Sequence, residues 1–90
     1  MMKKEFLIYG NVQGVGFRYF TWREAVKIGI CGYVKNMSNG SVYVVACGTM
    51  EQIEKFQAYL QKGPKSATVA TVIMQDYIGQ QAFSDFSIKY

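Results

Sequence analysis

The chain of 90 residues contains no histidine. That absence removes the side chain most often used as a general base near neutral pH, and with it most transition-metal sites. Cysteine occurs only at Cys31 and Cys47, in no C-x-x-C pair and no cluster of metal ligands. Neither begins the C-x5-R spacing of cysteine phosphatases, because Met37 and Ile53 stand where an arginine is needed. The spacing leaves the pair open between two reduced thiols and a bridge across a hairpin. No apolar run approaches the roughly 18 residues of a membrane span. The start, "MMKKEFLIYGNVQ", reaches Glu5 before any apolar stretch of signal-peptide length. A cytoplasmic location and one domain over residues 1–90 are expected.

Acidic residues are few, 6 against 10 lysines and arginines, for a net charge of +4. An anionic partner fits that balance. The lysines, however, are scattered, as at Lys35, Lys55, Lys62 and Lys65, whereas a nucleic-acid surface clusters them. Hydrophobic residues make up 50% of the chain, enough to build one small core.

Hydrophobic periodicity orders what is present. "KEFLIY" (4–9) alternates and predicts a strand with both faces partly covered. Residues 10–18, "GNVQGVGFR", read as a glycine-broken loop. "YFTWREAVKIG" predicts a helix with Phe20, Trp22, Ala25, Val26 and Ile28 as its apolar stripe and Gly29 as its stop. Its start is open: Thr21 and Glu24 match a capping box, while the loop and Arg18 favour a start one turn earlier. "ICGYVKN" and "SVYVVAC" are strand-like and flank an Asn39-Gly40 turn. Thr49 with Gln52 forms a second capping-box pattern, followed by Met50, Ile53, Phe56 and Leu60 at helical spacing. Gly63-Pro64 ends that helix. "ATVATVIMQDY" and "FSDFSIKY" predict the last strands. The order is the ferredoxin-like split βαββαβ, an α+β two-layer sandwich. Its sheet is largely antiparallel, with two helices on one face and an extra terminal strand. That fold carries many activities. An RNA-binding module on it needs an aromatic-rich third strand, and "SVYVVAC" offers only Tyr43.

The loop admits two readings, a tight turn or a phosphate site. Glycines let consecutive N–H groups converge on an anion, a helix N-terminus adds its dipole, and Arg18 supplies a planar fork for phosphate oxygens. The spelling is not a Walker loop and not G-x-G-x-x-G, since Tyr19 replaces the last glycine.

"GNVQGVGFR" closely resembles the signature loop of the acylphosphatases. "GYVKNMSNGSVYVVACG" (32–48) is similar to the family's second pattern, and the two stand in the expected order and spacing. The helix ending in "GP" and the terminal "FSIKY" extend the likeness over nearly the whole chain. The resemblance implies hydrolysis of acyl phosphates, the mixed anhydrides of carboxylic and phosphoric acids, to carboxylate and phosphate. It implies Arg18 and Asn36 as catalytic residues. It implies Gln13, Gly14, Val15, Gly16, Phe17 and Arg18 as the phosphate cradle. No metal or cofactor is implied. The partners expected are a small acyl phosphate and inorganic phosphate, with a monomeric protein and neither nucleic acid nor membrane. A non-catalytic domain that binds phosphate or acyl phosphate on the same fold is the alternative. Met37, where some relatives carry a hydroxyl residue, and Asn39, where an acid is common, are the departures noted.

Overall fold

The computed structural model describes residues 1–90. Its elements are β1 (Met2–Asn11), α1 (Phe17–Ile28), β2 (Cys31–Asn36), β3 (Val42–Gly48), α2 (Met50–Lys62), β4 (Thr68–Asp76) and β5 (Phe86–Lys89). The strands form one mixed sheet in the order β4-β1-β3-β2-β5. β3 runs antiparallel to both β1 and β2, so those two are parallel to each other. β5 joins the edge parallel to β2. The expected split βαββαβ arrangement is therefore the one observed.

Alternation in the strands sends one set of side chains under the helices. Phe6 and Ile8 of β1, Val34 of β2, and Val42, Val44 and Ala46 of β3 are all buried in one cluster. Phe56 of α2 joins the two layers, with its ring edge-on to Phe6 at 6.0 Å and to Phe86 at 5.9 Å. Burying a phenylalanine stabilises by about 1.5–3 kcal/mol, so this triad is a main fastening between helix and sheet.

β1 is longer than its sequence suggests. Gly10 and Asn11, expected in the loop, pair with Val69 and Thr68 of β4 after a register shift at Tyr9/Gly10. Gly10 has φ +134°, and a Cβ there would lie 2.2 Å from the Thr68 carbonyl oxygen. Only glycine fits so close a backbone approach.

Of the two starts left open for α1, the helix takes the earlier. Gly16 caps it in the left-handed conformation, φ 78° and ψ 17°. Thr21 lies inside the helix, buried, with its Oγ1 unpartnered. The Thr21–Glu24 capping box does not form because burial of Phe17 in the first turn, about 1.5–3 kcal/mol, outweighs a cap of about 1 kcal/mol. The buried face is Phe17, Thr21, Glu24 and Ala25. Val26, expected on the apolar stripe, is 54% exposed. The Glu24 carboxylate lies 3.5 Å from Arg23 Nε and 3.9 Å from Lys27 Nζ.

The capping box of α2 forms as expected. Thr49 Oγ1 accepts from the Gln52 N–H at 3.2 Å, and Gln52 Oε1 accepts from the Thr49 N–H at 2.9 Å. Gln52 Nε2 also donates to the Ile28 carbonyl at 3.0 Å, tying the start of α2 to the end of α1. Ile53, Phe56 and Leu60 are buried, but Met50 is exposed. Helical side chains lean toward the N-terminus, so Met50 at the first position leans off the end of the helix.

The sheet face opposite the helices carries Tyr33 and Tyr43. Tyr33 packs against Tyr43 at 6.1 Å and against Phe83 at 5.8 Å. Lys89 Nζ sits 4.2 Å from the Tyr33 ring centre. The Tyr43 hydroxyl donates to Glu5 Oε1 at 2.8 Å. Burial, then the Glu5 carboxylate, push the Tyr43 phenol well above the ordinary tyrosine range. No helix is long and apolar enough to cross a membrane.

Candidate functional site

Because β1 and β2 are parallel, their C-terminal ends open on the same edge of the sheet. The segment after β1 leads into α1, and Asn36 is the last residue of β2. A pocket of about 200 Å³ lies at that edge. Gly14, Gly16, Phe17, Arg18 and Asn36 line one part of it, and Val12, Tyr19, Ile88 and Tyr90 the rest. Residues 18 apart in sequence thus share one cavity. Its volume is below the roughly 300–1,000 Å³ of sites that enclose drug-sized ligands. It suits a phosphoryl group with the bulk of its carrier outside.

The α1 N-terminus leaves free the kind of donors that an anion accepts. The first intrahelical bond runs from the Phe20 N–H to the Gly16 carbonyl at 3.0 Å. The N–H groups of Phe17, Arg18 and Tyr19 therefore have no partner within the helix. Gly16 supplies no side-chain cap, and the first turn holds no acidic residue. The positive end of the helix dipole is left uncompensated. Gly14 and Gly16 both take left-handed φ, 73° and 78°, and alternating backbone hand of this kind forms anion-binding nests.

The same segment is fixed from two sides. Gln13 Nε2 donates to the Met37 carbonyl at 2.7 Å and the Ser41 carbonyl at 2.8 Å, across to the β2–β3 turn. Ser66 Oγ donates to the Val15 carbonyl at 2.6 Å. Gln13 and Val15 are not on the pocket wall. The Gln13 side-chain amide nitrogen is committed to the hairpin. Val15 packs its side chain against the core. Of the six expected cradle residues, the fold gathers Gly14, Gly16, Phe17 and Arg18 on the wall.

Arg18 enters no ion pair, since the three salt bridges are Lys4–Asp76, Arg23–Glu24 and Lys27–Glu24. Its guanidinium donates one bond, to the Lys89 carbonyl at 3.0 Å, and lies 4.7 Å from the Tyr90 ring centre. Neither contact neutralises it. A carbonyl and an aromatic face orient the fork while its full charge and remaining N–H groups stay available. Tyr90 is a wall residue that the sequence did not point to, and the period-2 run of Phe86, Ile88 and Tyr90 on one face was the available signal; the Lys89 carbonyl that meets Arg18 had none.

Asn36 pairs with Val42 in the ladder. Its Oδ1 is buried and has no hydrogen-bond partner in the protein. An unsatisfied buried acceptor costs about 1–3 kcal/mol, and Asn36 is one of the residues that line the pocket. Asn39, one turn on, is occupied differently: its Oδ1 accepts from the Ser41 N–H at 3.0 Å and shapes the hairpin.

A larger concavity of about 410 Å³ lies between the two helices. It sets Glu24 and Glu51 beside Lys27 and Lys55, so its charges cancel and no set of free donors converges there. The smaller pocket is where uncompensated positive charge, a bare helix N-terminus and Asn36 meet.

The acylphosphatase family model matches residues 4–88. A curated acylphosphatase of Pasteurella multocida (strain Pm70) is 51% identical over 90 residues, covering all of both chains. The crystal structure of acylphosphatase from Bacillus subtilis superposes with a TM-score of 0.94 at 32% identity, again over the full length of both. The structure of an acylphosphatase from Coxiella burnetii gives 0.90 at 33% identity, over 98% of this chain and 92% of that one.

Proposed function

Because the chain belongs to the acylphosphatase family and so hydrolyses acyl phosphates to carboxylate and phosphate, we propose that the reaction runs in the pocket shared by Arg18 and Asn36. The observation that carries this is the convergence of an arginine outside any ion pair, a bare helix N-terminus and Asn36 on the wall of one cavity.

The substrate brings a carboxylate leaving group of low pKa, which needs little protonation. What the protein must supply is position and charge. Arg18 takes two phosphoryl oxygens in its fork. The N–H groups of Phe17, Arg18 and Tyr19, with those of the Gln13–Gly16 segment, hold the others. Preorganised donors of this kind stabilise a transition state by about 3 kcal/mol each. The Asn36 side-chain amide hydrogen-bonds the attacking water and so aims its lone pair at phosphorus, in line with the leaving oxygen. An amide is no base at neutral pH and the chain has no histidine. The water's proton therefore passes to a phosphoryl oxygen of the substrate itself. Every charge shift in this scheme is met by Arg18 and backbone dipoles, so it needs no metal.

The same reading takes residues 1–90 as one domain acting as a cytoplasmic monomer without nucleic acid. Support for the last point comes from Tyr33, whose ring already lies against Tyr43, Phe83 and Lys89 rather than presenting an open stacking surface. The test is hydrolysis of benzoyl phosphate in excess chelator by the wild type and by Arg18→Ala. Wild-type turnover is expected to persist, and the variant to lose both turnover and inhibition by inorganic phosphate. An active Arg18→Ala enzyme would refute the assignment.

A further inference from the structure

Cys31 on β2 and Cys47 on β3 are register partners, directly opposite each other in an antiparallel ladder. Opposed positions of this kind hold their Cα atoms about 4.5–5.5 Å apart with both side chains on one face. A disulfide requires a Cα separation of about 4.4–6.8 Å. Register pairing brings the backbone within that range, and closure needs side-chain rotation with a small approach of the Cβ atoms, from about 4.5–5.5 Å to about 3.5–4.5 Å. Both thiols are free and partly exposed. Cys47 Sγ is covered by Met1, at 3.8 Å from its Sδ, and Met1 itself is 91% exposed. A small reagent therefore has access to the pair.

The position in the fold separates this pair from the pocket. β2 runs from Cys31 to Asn36, so the thiols sit at the opposite end of the sheet from the asparagine, roughly 16 Å along the strand. The hairpin they would close contains Asn36 and the two carbonyls that Gln13 holds.

We propose that Cys31 and Cys47 form a dithiol–disulfide redox site that staples the hairpin when oxidised by a low-molecular-weight disulfide. One cysteine thiolate attacks a sulfur of the small disulfide. A protein–reagent S–S bond forms, the reagent's own S–S bond breaks, and one thiol leaves. The second cysteine thiolate then attacks the protein sulfur of that mixed disulfide. The Cys31–Cys47 bond forms and the second thiol leaves. The protein loses two electrons and two protons, and the small disulfide is reduced to two thiols.

The test equilibrates purified protein in mixtures of oxidised and reduced glutathione and reads intact mass without reductant. The wild type is expected to lose two hydrogens in mass and both alkylatable thiols. Cys31→Ser and Cys47→Ser should each retain a glutathione adduct, because no second thiol displaces it. The bridged wild type should melt at least about 5 °C higher than the reduced form and keep its turnover on benzoyl phosphate. Persistent glutathione adducts on the wild type, covalent dimers, or two free thiols under oxidising ratios would each overturn the proposal, as would a bridged form that melts lower.

Discussion

Gln13→Ala distinguishes a scaffold contact from a substrate contact. The Gln13 amide bridges the loop to the Met37 and Ser41 carbonyls at 2.7 and 2.8 Å. Alanine leaves both acceptors without that donor. At about 0.5–1.5 kcal/mol net per hydrogen bond, the loss is roughly 1–3 kcal/mol. The hairpin's own closure, Met37 N–H to the Ser41 carbonyl at 2.9 Å, remains, so the lower half of that range is expected. One kcal/mol is worth about 4–8 °C in a domain of this size, which places the fall in Tm at roughly 4–15 °C. Thermal unfolding followed by Trp22 fluorescence measures it. Turnover should fall too, because Met37 follows Asn36 directly and a displacement near 1 Å can cost about a hundredfold in rate. Phosphate inhibition should change little. Gln13→Glu should do no better than alanine, since a carboxylate cannot donate to carbonyl oxygens. A Gln13→Ala protein that melts like the wild type yet needs tenfold more phosphate for inhibition would refute the reasoning and make the side chain a substrate ligand.

Hydrolysis in water labelled with heavy oxygen should put the label in phosphate and none in the carboxylate, because the donors converge on the phosphoryl group; label in the carboxylate would mean attack at the acyl carbon. The raised Tyr43 phenol affects stability in alkali. Its stabilising contribution is present below the ordinary tyrosine value of about 10 and is lost as the pH rises toward the folded-state value, since the unfolded chain ionises first. Tyr43→Phe should therefore lose less of its urea midpoint between neutral and strongly alkaline pH than the wild type, and equal losses would contradict the raised Tyr43 phenol, held up by burial and then by Glu5, as the cause.

Much of the architecture was legible because its signals are local. The Thr49–Gln52 box and the Asn39-Gly40 turn each need only a few neighbouring residues, and both formed. Parallel β1 and β2 followed from the element order, and with it the shared edge that joins Arg18 to Asn36. The misses lie where tertiary packing decides. Thr21 and Glu24 are buried against their polarity, which hid the true face of α1 and left Val26 outside. Gly10 belongs to β1 only because β4 approaches it through a register shift. The Gln13 side chain bonds to a turn more than twenty residues away, a contact no local pattern encodes. Arg18's support from Lys89 and Tyr90 depends on β5 docking beside β2.

The central claim is a division of labour, with Arg18 and the helix N-terminus holding the phosphoryl group and Asn36 aiming water. Steady-state kinetics of Asn36→Ala with benzoyl phosphate, paired with the inhibition constant for inorganic phosphate, tests it most directly. The variant's kcat should be lower by about a hundredfold or more, with phosphate inhibition nearly unchanged. Parallel losses of turnover and phosphate binding would contradict it, because Asn36 would then be part of the anion's cradle.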